Sequence, residues 1–217
     1  MMDDRTSVLR GLYAITDSQL SPGDLLLRHA EAALSGGATV IQYRDKTGST
    51  AQRLADAATL SGLCRDRDAL LIINDDVDLA ARVDAGGVHL GAQDSSLSFA
   101  RKHLGKRAVI GISCYNQLGR AREAAASGAD YIAFGRFFPS RSKPDAVRAH
   151  IELLSAAKSE LGIPLVAIGG ITPENGAPLI NAGADMLAVI HGVFGEVDIQ
   201  TACRRFTRLF EQEERPR

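Results

Sequence analysis

The chain has 217 residues, 45% of them hydrophobic and 24% charged, which is enough to bury a sizeable core within one large α/β domain. The formal net charge of -1 gives no overall field that favours nucleic acid or an anionic membrane, so an anionic ligand needs a local cluster of cations. Three widely spaced cysteines, no apolar leader and no apolar run of membrane-spanning length argue against a disulfide framework, a zinc site, a secretory signal and a transmembrane helix. We therefore expect a cytoplasmic protein with no nucleic-acid or membrane partner.

Eight short apolar runs alternate with longer stretches of helical periodicity. The runs span residues 12–15, 39–43, 70–73, 87–90, 109–113, 131–134, 165–168 and 186–190. Most are almost continuously hydrophobic, which is typical of strands buried on both faces of a parallel sheet. Eight strand–helix units in about 200 residues predict class α/β, a single (β/α)8 TIM barrel over residues 1–217 with its core at about 12–210. A doubly wound open sheet is the alternative, because the same pattern serves both folds.

A small-residue phrase recurs between three predicted helices and the strands that follow them. It reads Gly36-Gly37-Ala38, Gly128-Ala129-Asp130 and Gly183-Ala184-Asp185. Glycine at this place ends a helix in a left-handed conformation. The phrase therefore predicts three helix-to-strand turns and forms a weak internal repeat.

Cations follow the second run, at the strand end where a barrel carries its functional groups. The segment is Gln42-Tyr43-Arg44-Asp45-Lys46, and in an extended chain Gln42, Arg44 and Lys46 project to one side. Two cations beside an amide suit a multiply charged phosphate. The alternative is a solvated salt-bridge network at the end of a strand.

Acidic residues follow the third and fourth runs, with Asp75 and Asp76 after the third and Asp94 after the fourth. Because neighbouring barrel strands end side by side, Asp75 and Asp94 are candidates to share a hard cation such as Mg2+. Each acid also has a structural alternative as a helix cap. We interpret Asp76 as the cap of a helix that begins near Val77, whereas Asp94 could cap a helix after Ser95.

Three further residues lie on the fourth and fifth runs. His89 is expected to pack or to hydrogen-bond within the barrel. Ser113 could donate to a phosphate or to a pyrimidine, and Cys114 is interpreted as a small core residue because no base accompanies it.

The loop after the sixth run, residues 135–144, carries two hydroxyls and three cations. Such a composition suits phosphate binding. A flexible surface loop is the alternative, against which Phe137 and Phe138 count because they need burial.

A glycine pair, Gly169-Gly170, follows the seventh run, and Ile190-His191 follows the eighth. Barrels commonly bind phosphate between these two loops, and paired glycines let it approach the backbone N–H groups. Thr172 followed by Pro173 predicts the start of a helix. With no Ser-His-Asp or Cys-His arrangement in clear context and no Walker A or dinucleotide motif, the residues predict magnesium-assisted chemistry on phosphorylated small molecules.

The order and spacing of these motifs, from about Leu12 to Phe194, resemble the thiamine-phosphate synthase family. The likeness rests on segments 42–46, 73–75, 89–91 with Asp94, 111–113, 134–143 and 167–171. It implies a Mg2+-dependent transferase that joins 4-amino-2-methyl-5-hydroxymethylpyrimidine diphosphate to a 4-methyl-5-hydroxyethylthiazole phosphate, giving thiamine phosphate and pyrophosphate.

The resemblance also implies roles for individual residues. The pyrimidine diphosphate would contact Gln42, Tyr43, Arg44, Asp45, Lys46, Asn74, Ser113 and Lys143, and Mg2+ would be bound by Asp75 and Asp94. The thiazole phosphate would contact Ser140, Arg141, Ser142, Gly170, Ile190 and His191. The implied catalytic residues are Arg44, Lys46, Ser113 and Lys143. Pyrophosphate would leave before the thiazole nitrogen attacks, so no protein nucleophile is needed.

A few positions depart from the family pattern. Ala92 stands where glutamine is frequent, with Gln93 beside it; Ser140 and Ser142 replace threonines. His191 stands where a small serine is common, so a backbone contact is expected there.

Three other functions compete with the synthase. A related thiazole tautomerase would carry a histidine near Tyr115, and the paired cationic segments argue against a phosphosugar isomerase or epimerase. A thiazole- or thiamine-phosphate-binding regulator would not need Asp75, Asp94 and Lys143 together. A homo-oligomer is left open.

Overall fold

The computed structural model describes residues 8–140 and 147–213, and within these ranges eight parallel strands close into a barrel. The elements are β1 (Gly11–Ile15), α1 (Leu25–Ser35), β2 (Ala38–Tyr43), α2 (Thr50–Asp66), β3 (Leu70–Asn74), α3 (Val77–Arg82), β4 (Gly87–Leu90), α4 (Leu97–Leu104), β5 (Val109–Tyr115), α5 (Leu118–Ala126), β6 (Tyr131–Phe134), α6 (Glu152–Glu160), β7 (Leu165–Ile168), α7 (Ala177–Asn181), β8 (Met186–Val189), α8 (His191–Phe194) and α9 (Ile199–Glu213). Each strand pairs in parallel with the next, and β8 pairs with β1. The predicted (β/α)8 TIM barrel is confirmed.

The barrel has two apolar cores, which explains why its strands are almost continuously hydrophobic. Successive side chains of a strand point to opposite faces. On β1, Leu12 and Ala14 belong to the outer core between the strands and the helices, whereas Tyr13 and Ile15 belong to the inner core. Closure of β8 against β1 leaves no open edge, so the doubly wound alternative is wrong.

Polar residues replace apolar ones at the carboxyl ends of the strands inside the barrel. Val40 and Ile72 lie in the inner core, and Gln42 and Asn74 follow two residues later on the same face of their strands. The alternation that fills the barrel therefore also directs polar side chains into its upper mouth.

The repeated small-residue phrase forms the turns that the sequence predicts. Gly37, Gly128 and Gly183 adopt φ angles of 95°, 90° and 110° in the left-handed region, immediately after α1, α5 and α7. L-residues with a Cβ avoid these values, so glycine is required to bring the chain back toward the next strand.

The aspartates that end two of these phrases stabilise the lower end of the barrel. Asp130 Oδ2 accepts from the Ile110 N–H at 2.7 Å and from Arg101 Nη2 at 2.6 Å. Asp185 Oδ2 accepts from the Leu165 N–H at 2.8 Å, and Lys158 Nζ lies 2.8 Å away. Each carboxylate thus links two strands to a helix, so the repeat has a structural role.

Helices α3 and α4 both begin with a side-chain cap. Asp76 Oδ1 accepts from the Leu79 N–H at 2.9 Å and caps α3, as predicted. Ser96, not Asp94, caps α4, with its hydroxyl accepting from the Phe99 N–H at 3.2 Å. The carboxylate of Asp94 is therefore available for another role.

The helix predicted at Thr172-Pro173 is wrong, since α7 begins at Ala177. The Thr172 N–H donates to Asn175 Oδ1 at 2.8 Å, and Asn175 Nδ2 donates to the Gly170 carbonyl at 3.0 Å. These two bonds close a turn on the glycine pair and delay the helix.

In the described ranges, no helix combines the length and apolar character needed to cross a membrane.

Candidate active site

A cleft of about 770 Å³ opens at the carboxyl ends of the barrel strands. The residues that the sequence assigns to the site and that line this cleft are Gln42, Arg44, Lys46, Asn74, Asp75, Asp94, Ser113, Ser140, Gly170, Ile190 and His191. They come from loops and strands all around the barrel. Closure of the sheet therefore brings together residues as distant in the sequence as Gln42 and His191. Arg141, Ser142 and Lys143 lie outside the residues that the structure describes.

Tyr43 and Asp45 do not line the cleft, although the resemblance implies the whole segment from Gln42 to Lys46. The period of two in an extended chain directs them to the opposite side. Tyr43 is buried against α2 and its hydroxyl donates to Asp56 Oδ2 at 3.2 Å. Asp45 Oδ1 accepts from the Thr47 N–H at 2.8 Å and holds the turn before α2. Their positions indicate structural roles.

Two cations lie on the β2 side of the cleft. Arg44 Nη1 lies 4.0 Å from Asp17 Oδ2, and the Arg44 N–H donates to Thr16 Oγ1 at 3.0 Å. Lys46 Nζ lies 3.8 Å from Asp75 Oδ2. Both side chains line the cleft, and each is held near a carboxylate. A phosphate that enters here therefore meets two cations that are already in place.

Asp75 and Asp94 face each other across the loops after β3 and β4. Asp75 has a left-handed backbone with φ of 63°, and its N–H donates to the His89 carbonyl at 2.9 Å. Asp94 Oδ2 accepts from the Gly91 N–H at 2.6 Å. Burial is the main cause that raises the pKa of Asp75, and the neighbouring Asp94 carboxyl is the second. The Lys46 ammonium lowers this pKa and so opposes both. Two carboxylates that repel each other in an open cleft are a donor set that a divalent cation stabilises.

The other side of the cleft is formed where the loop after β6 packs on the glycine pair. Gly169 and Gly170 have φ angles of 104° and 63°, and a Cβ on Gly170 would overlap the Pro139 carbonyl. The Phe138 N–H donates to the Gly169 carbonyl at 3.0 Å, while Phe137 is buried. The predicted anchoring of this loop by phenylalanine is confirmed for Phe137, and it brings Ser140 to the cleft.

A chain of polar side chains crosses the cleft floor. Gln42 Nε2 donates to the Tyr13 hydroxyl at 2.6 Å, and the hydroxyls of Tyr13 and Tyr131 lie 2.9 Å apart. His89 Nδ1 lies 2.9 Å from the Tyr131 hydroxyl, and its Nε2 lies 2.8 Å from Ser113 Oγ. The prediction that His89 hydrogen-bonds within the barrel is confirmed. We call these five residues the floor relay.

Comparison with known proteins identifies the family. The sequence model of the thiamine monophosphate synthase family matches residues 12–193.

This chain belongs to the thiamine monophosphate synthase family.

Relatives of the chain agree with this family assignment. It is 51% identical to a thiamine-phosphate synthase of Marinobacter nauticus over 208 residues, which cover 95% of this chain and 93% of that protein. It is also 51% identical to a thiamine-phosphate synthase of Nitrosococcus oceani over 205 residues, 94% of each. The solved thiamine phosphate pyrophosphorylase of Pyrococcus furiosus superposes with a TM-score of 0.88 at 36% identity, covering 98% of this chain and all of that one.

The cleft of this thiamine monophosphate synthase family member also contains residues to which the sequence gave no individual role at the site. Tyr13 belongs to an apolar run, where a tyrosine looks the same as an ordinary core residue. The one feature that could have indicated a polar role is its hydroxyl, which needs a hydrogen-bond partner when buried. Arg136 lines the cleft from the loop after β6, and Glu196 from the turn between α8 and α9. Tyr115 does so from a left-handed backbone with φ of 54°, at the register shift between β5 and β6.

Proposed function

We propose that this member of the thiamine monophosphate synthase family joins 4-amino-2-methyl-5-hydroxymethylpyrimidine diphosphate to a 4-methyl-5-hydroxyethylthiazole phosphate. The products are thiamine phosphate and pyrophosphate. One observation carries the proposal: the same cleft combines paired cations and paired acids on one side with a glycine cradle on the other. The 51% identity to thiamine-phosphate synthases of two bacteria supports it.

The diphosphate is assigned to the side of the cleft formed by β2 and β3. Arg44 and Lys46 supply two cations there, and Asn74 supplies an amide that donates to a phosphate oxygen. Arg44 is held by Asp17 on one side, which limits its freedom before the ligand arrives. Preorganised cations of this kind stabilise charge that develops on a leaving group.

Asp75 and Asp94 would bind Mg2+, because hard cations prefer carboxylate oxygens and leave further positions for water and phosphate. When bound, Mg2+ neutralises charge on the departing pyrophosphate. Asp94 is fixed by the Gly91 N–H, and Asp75 by its own backbone bond to β4.

The thiazole phosphate is assigned to the loops after β6, β7 and β8. Ser140 offers a hydroxyl, Gly170 lines the cleft where the loop after β6 packs on it, and Ile190 and His191 begin the short helix α8. Phosphate sites between the last two loops and a short extra helix are frequent in barrels of this fold. The resemblance adds Arg141 and Ser142 to this side and Lys143 to the diphosphate side.

The reaction that fits these groups is a dissociative substitution. The bond between the pyrimidine methylene carbon and the diphosphate oxygen breaks, and its electron pair leaves with pyrophosphate. The lone pair of the thiazole nitrogen then forms the new C–N bond. Holding both substrates in one cleft makes this capture effectively intramolecular. A protein nucleophile is not required; burial raises the pKa of the nearby Cys114 thiol to about 11, which suits a core residue.

We place the reaction in the cytoplasm. Both substrates are small phosphorylated molecules, and Cys64, Cys114 and Cys203 are free and buried. Unpaired thiols persist in reducing compartments.

The decisive experiment measures pyrophosphate release by the purified chain with both substrates and Mg2+, and with each component left out in turn. Release that requires all three, with an equal amount of thiamine phosphate, is the expected result. Saturable binding of the thiazole phosphate without release would instead favour a tautomerase or a binding protein. Isomerisation of the thiazole would then separate these two.

A further inference from the structure

We infer that Tyr131 and His89 are positioning residues that fix Ser113 as a hydrogen-bond donor toward the cleft. The floor relay carries this inference, because each of its side chains has a limited number of protons to donate. The identity of the ligand rests on the proposed function, whereas the direction of the hydrogen bonds does not.

The first half of the relay has a defined direction. The Gln42 amide nitrogen can only donate, and it lies 2.6 Å from the Tyr13 hydroxyl. Tyr13 therefore accepts from Gln42 and uses its own proton for the Tyr131 hydroxyl, 2.9 Å away. Both phenols are fully buried, and burial raises the pKa of each above its ordinary value, so both keep their protons.

The second half follows from the first. Tyr131 accepts from Tyr13, so its own proton goes to His89 Nδ1 at 2.9 Å. A ring nitrogen that accepts carries no proton, which leaves the proton of neutral His89 on Nε2. Nε2 then donates to Ser113 Oγ at 2.8 Å, and the proton of Ser113 remains for an acceptor in the cleft.

A mixed direction would leave a polar group unsatisfied. If His89 donated through Nδ1 while Gln42 still donated to Tyr13, one phenol proton would lack an acceptor inside the barrel. Buried hydroxyls without partners are strongly disfavoured. The hydrogen bonds of the relay therefore all run in one direction. The Gln42 amide donates at one end, and the Ser113 hydroxyl proton is directed into the cleft at the other.

The packing around the relay holds its rings in place. The rings of His89 and Tyr131 stack with centroids 5.6 Å apart and planes 18° apart. Gly111 makes room for Tyr131, because a Cβ there would overlap the phenol ring. The Ser113 carbonyl accepts from Arg120 Nε at 2.9 Å, which fixes the backbone that carries the hydroxyl. The ligand atom next to Ser113 is therefore an acceptor, such as a ring nitrogen or a phosphate oxygen.

The test reads the tautomer of His89 directly, with no ligand present. The full chain is labelled with 15N-histidine, and the ring signals are recorded by long-range 1H–15N correlation; the signals lost in His89→Asn identify His89. We expect an unprotonated Nδ1 and a protonated Nε2. A proton on Nδ1, with or without one on Nε2, would overturn the inference.

Two phenylalanine variants provide a matched pair for this measurement. Tyr131→Phe removes the donor to Nδ1, so we expect the His89 signals to shift toward a mixture of tautomers. Tyr43→Phe removes a buried hydroxyl outside the relay, and the His89 signals should not change. Unchanged His89 signals in Tyr131→Phe would contradict a positioning role, and circular dichroism confirms that both variants are folded.

Kinetics then tests the consequence for the ligand. In Tyr131→Phe we expect kcat/KM for the pyrimidine diphosphate to fall about tenfold, as for one misdirected hydrogen bond, with KM for the thiazole phosphate within about twofold. A rise of about tenfold in KM for the thiazole phosphate would overturn the assignment. The expected tautomer without any thiamine phosphate synthesis would refute the proposed function and leave the relay intact.

Discussion

The ammonium of Lys46 lies 3.8 Å from the Asp75 carboxylate, so a cation from the end of β2 meets an acid from the end of β3. Burial raises the pKa of Asp75, and the neighbouring Asp94 carboxyl raises it further. Lys46 therefore stabilises the charged form of a carboxylate that is a candidate metal ligand. This pairing couples the diphosphate side of the cleft to the proposed magnesium site.

Lys46→Met should weaken use of the pyrimidine diphosphate. It removes one of two cations on that side and the partner of Asp75, so we expect kcat/KM for this substrate to fall by about 100-fold, or roughly 2.7 kcal/mol. Steady-state kinetics with the thiazole phosphate held saturating measures the change. Lys102→Met, at an exposed residue of α4 that does not line the cleft, is the control and should behave as wild type.

Asp94→Asn should weaken the magnesium dependence. Asparagine can still accept from the Gly91 N–H but provides no charge, so the loop is preserved while the donor set loses one carboxylate. We expect the Mg2+ concentration for half-maximal activity to rise about tenfold or more, since Mg2+ is held by so few protein ligands. Titration of activity with Mg2+ gives this value.

Asp84→Asn is the matched control for that titration. Asp84 is 96% exposed, lies outside the cleft and has a left-handed backbone that asparagine tolerates. Its Mg2+ dependence should equal that of wild type. An unchanged Mg2+ dependence in Asp94→Asn would remove Asp94 from the metal site.

The strands could be predicted from sequence because burial on both faces makes each of them an apolar run. The alternation of side chains also predicted that Gln42, Arg44 and Lys46 share one side. The family resemblance implied a substrate contact at Tyr43 as well, and Tyr43 does not line the cleft. The floor relay could not be predicted in full. Tyr13 and Tyr131 lie 118 residues apart, and only closure of the barrel brings their hydroxyls within 2.9 Å.

Helix starts were harder to predict than strands, because a cap depends on where the preceding loop leads. Asp76 and Ser96 cap their helices through bonds to residues three positions later, a local pattern. Thr172-Pro173 has the same local appearance, but Asn175 binds the Gly170 carbonyl and closes a turn there instead. The competing bond depends on the left-handed glycine pair, which makes that carbonyl accessible.

Gly170→Ala should impair binding of the thiazole phosphate. Its left-handed φ of 63° costs alanine about 1 kcal/mol, and the added Cβ would displace the Pro139 carbonyl and with it the loop that carries Ser140. We expect KM for the thiazole phosphate to rise about tenfold and KM for the diphosphate to change less, by about twofold. Steady-state measurements with each substrate varied in turn distinguish the two.

Gly119→Ala separates this local effect from a general response to glycine replacement. Gly119 lies in α5, and a Cβ there meets no atom within 4 Å. The change should leave both KM values unaltered and stabilise the helix by up to about 1 kcal/mol. If Gly170→Ala raised KM for the diphosphate instead, the two sides of the cleft would have to be exchanged in the proposed assignment.

Asp130→Ala should destabilise the barrel without affecting catalysis. Asp130 lies directly before β6, at the end of the barrel opposite the cleft. Its carboxylate accepts there from the buried Ile110 N–H and from Arg101. Its loss leaves a strand N–H without an acceptor, so we expect the free energy of unfolding to fall by about 2–3 kcal/mol. Urea titration measures this loss, and an unchanged denaturant slope shows that the same surface is exposed on unfolding.

Asp130→Asn refines the interpretation, because asparagine keeps an oxygen for the Ile110 N–H and loses only the charge facing Arg101. We expect about 1 kcal/mol of destabilisation, since a partly exposed ion pair contributes less than a buried N–H bond that is left unmade. Equal losses in the two variants would assign the stability to the ion pair instead. Values of kcat and KM within about twofold of wild type in both would agree with the division of the barrel into a stabilising lower end and a catalytic mouth.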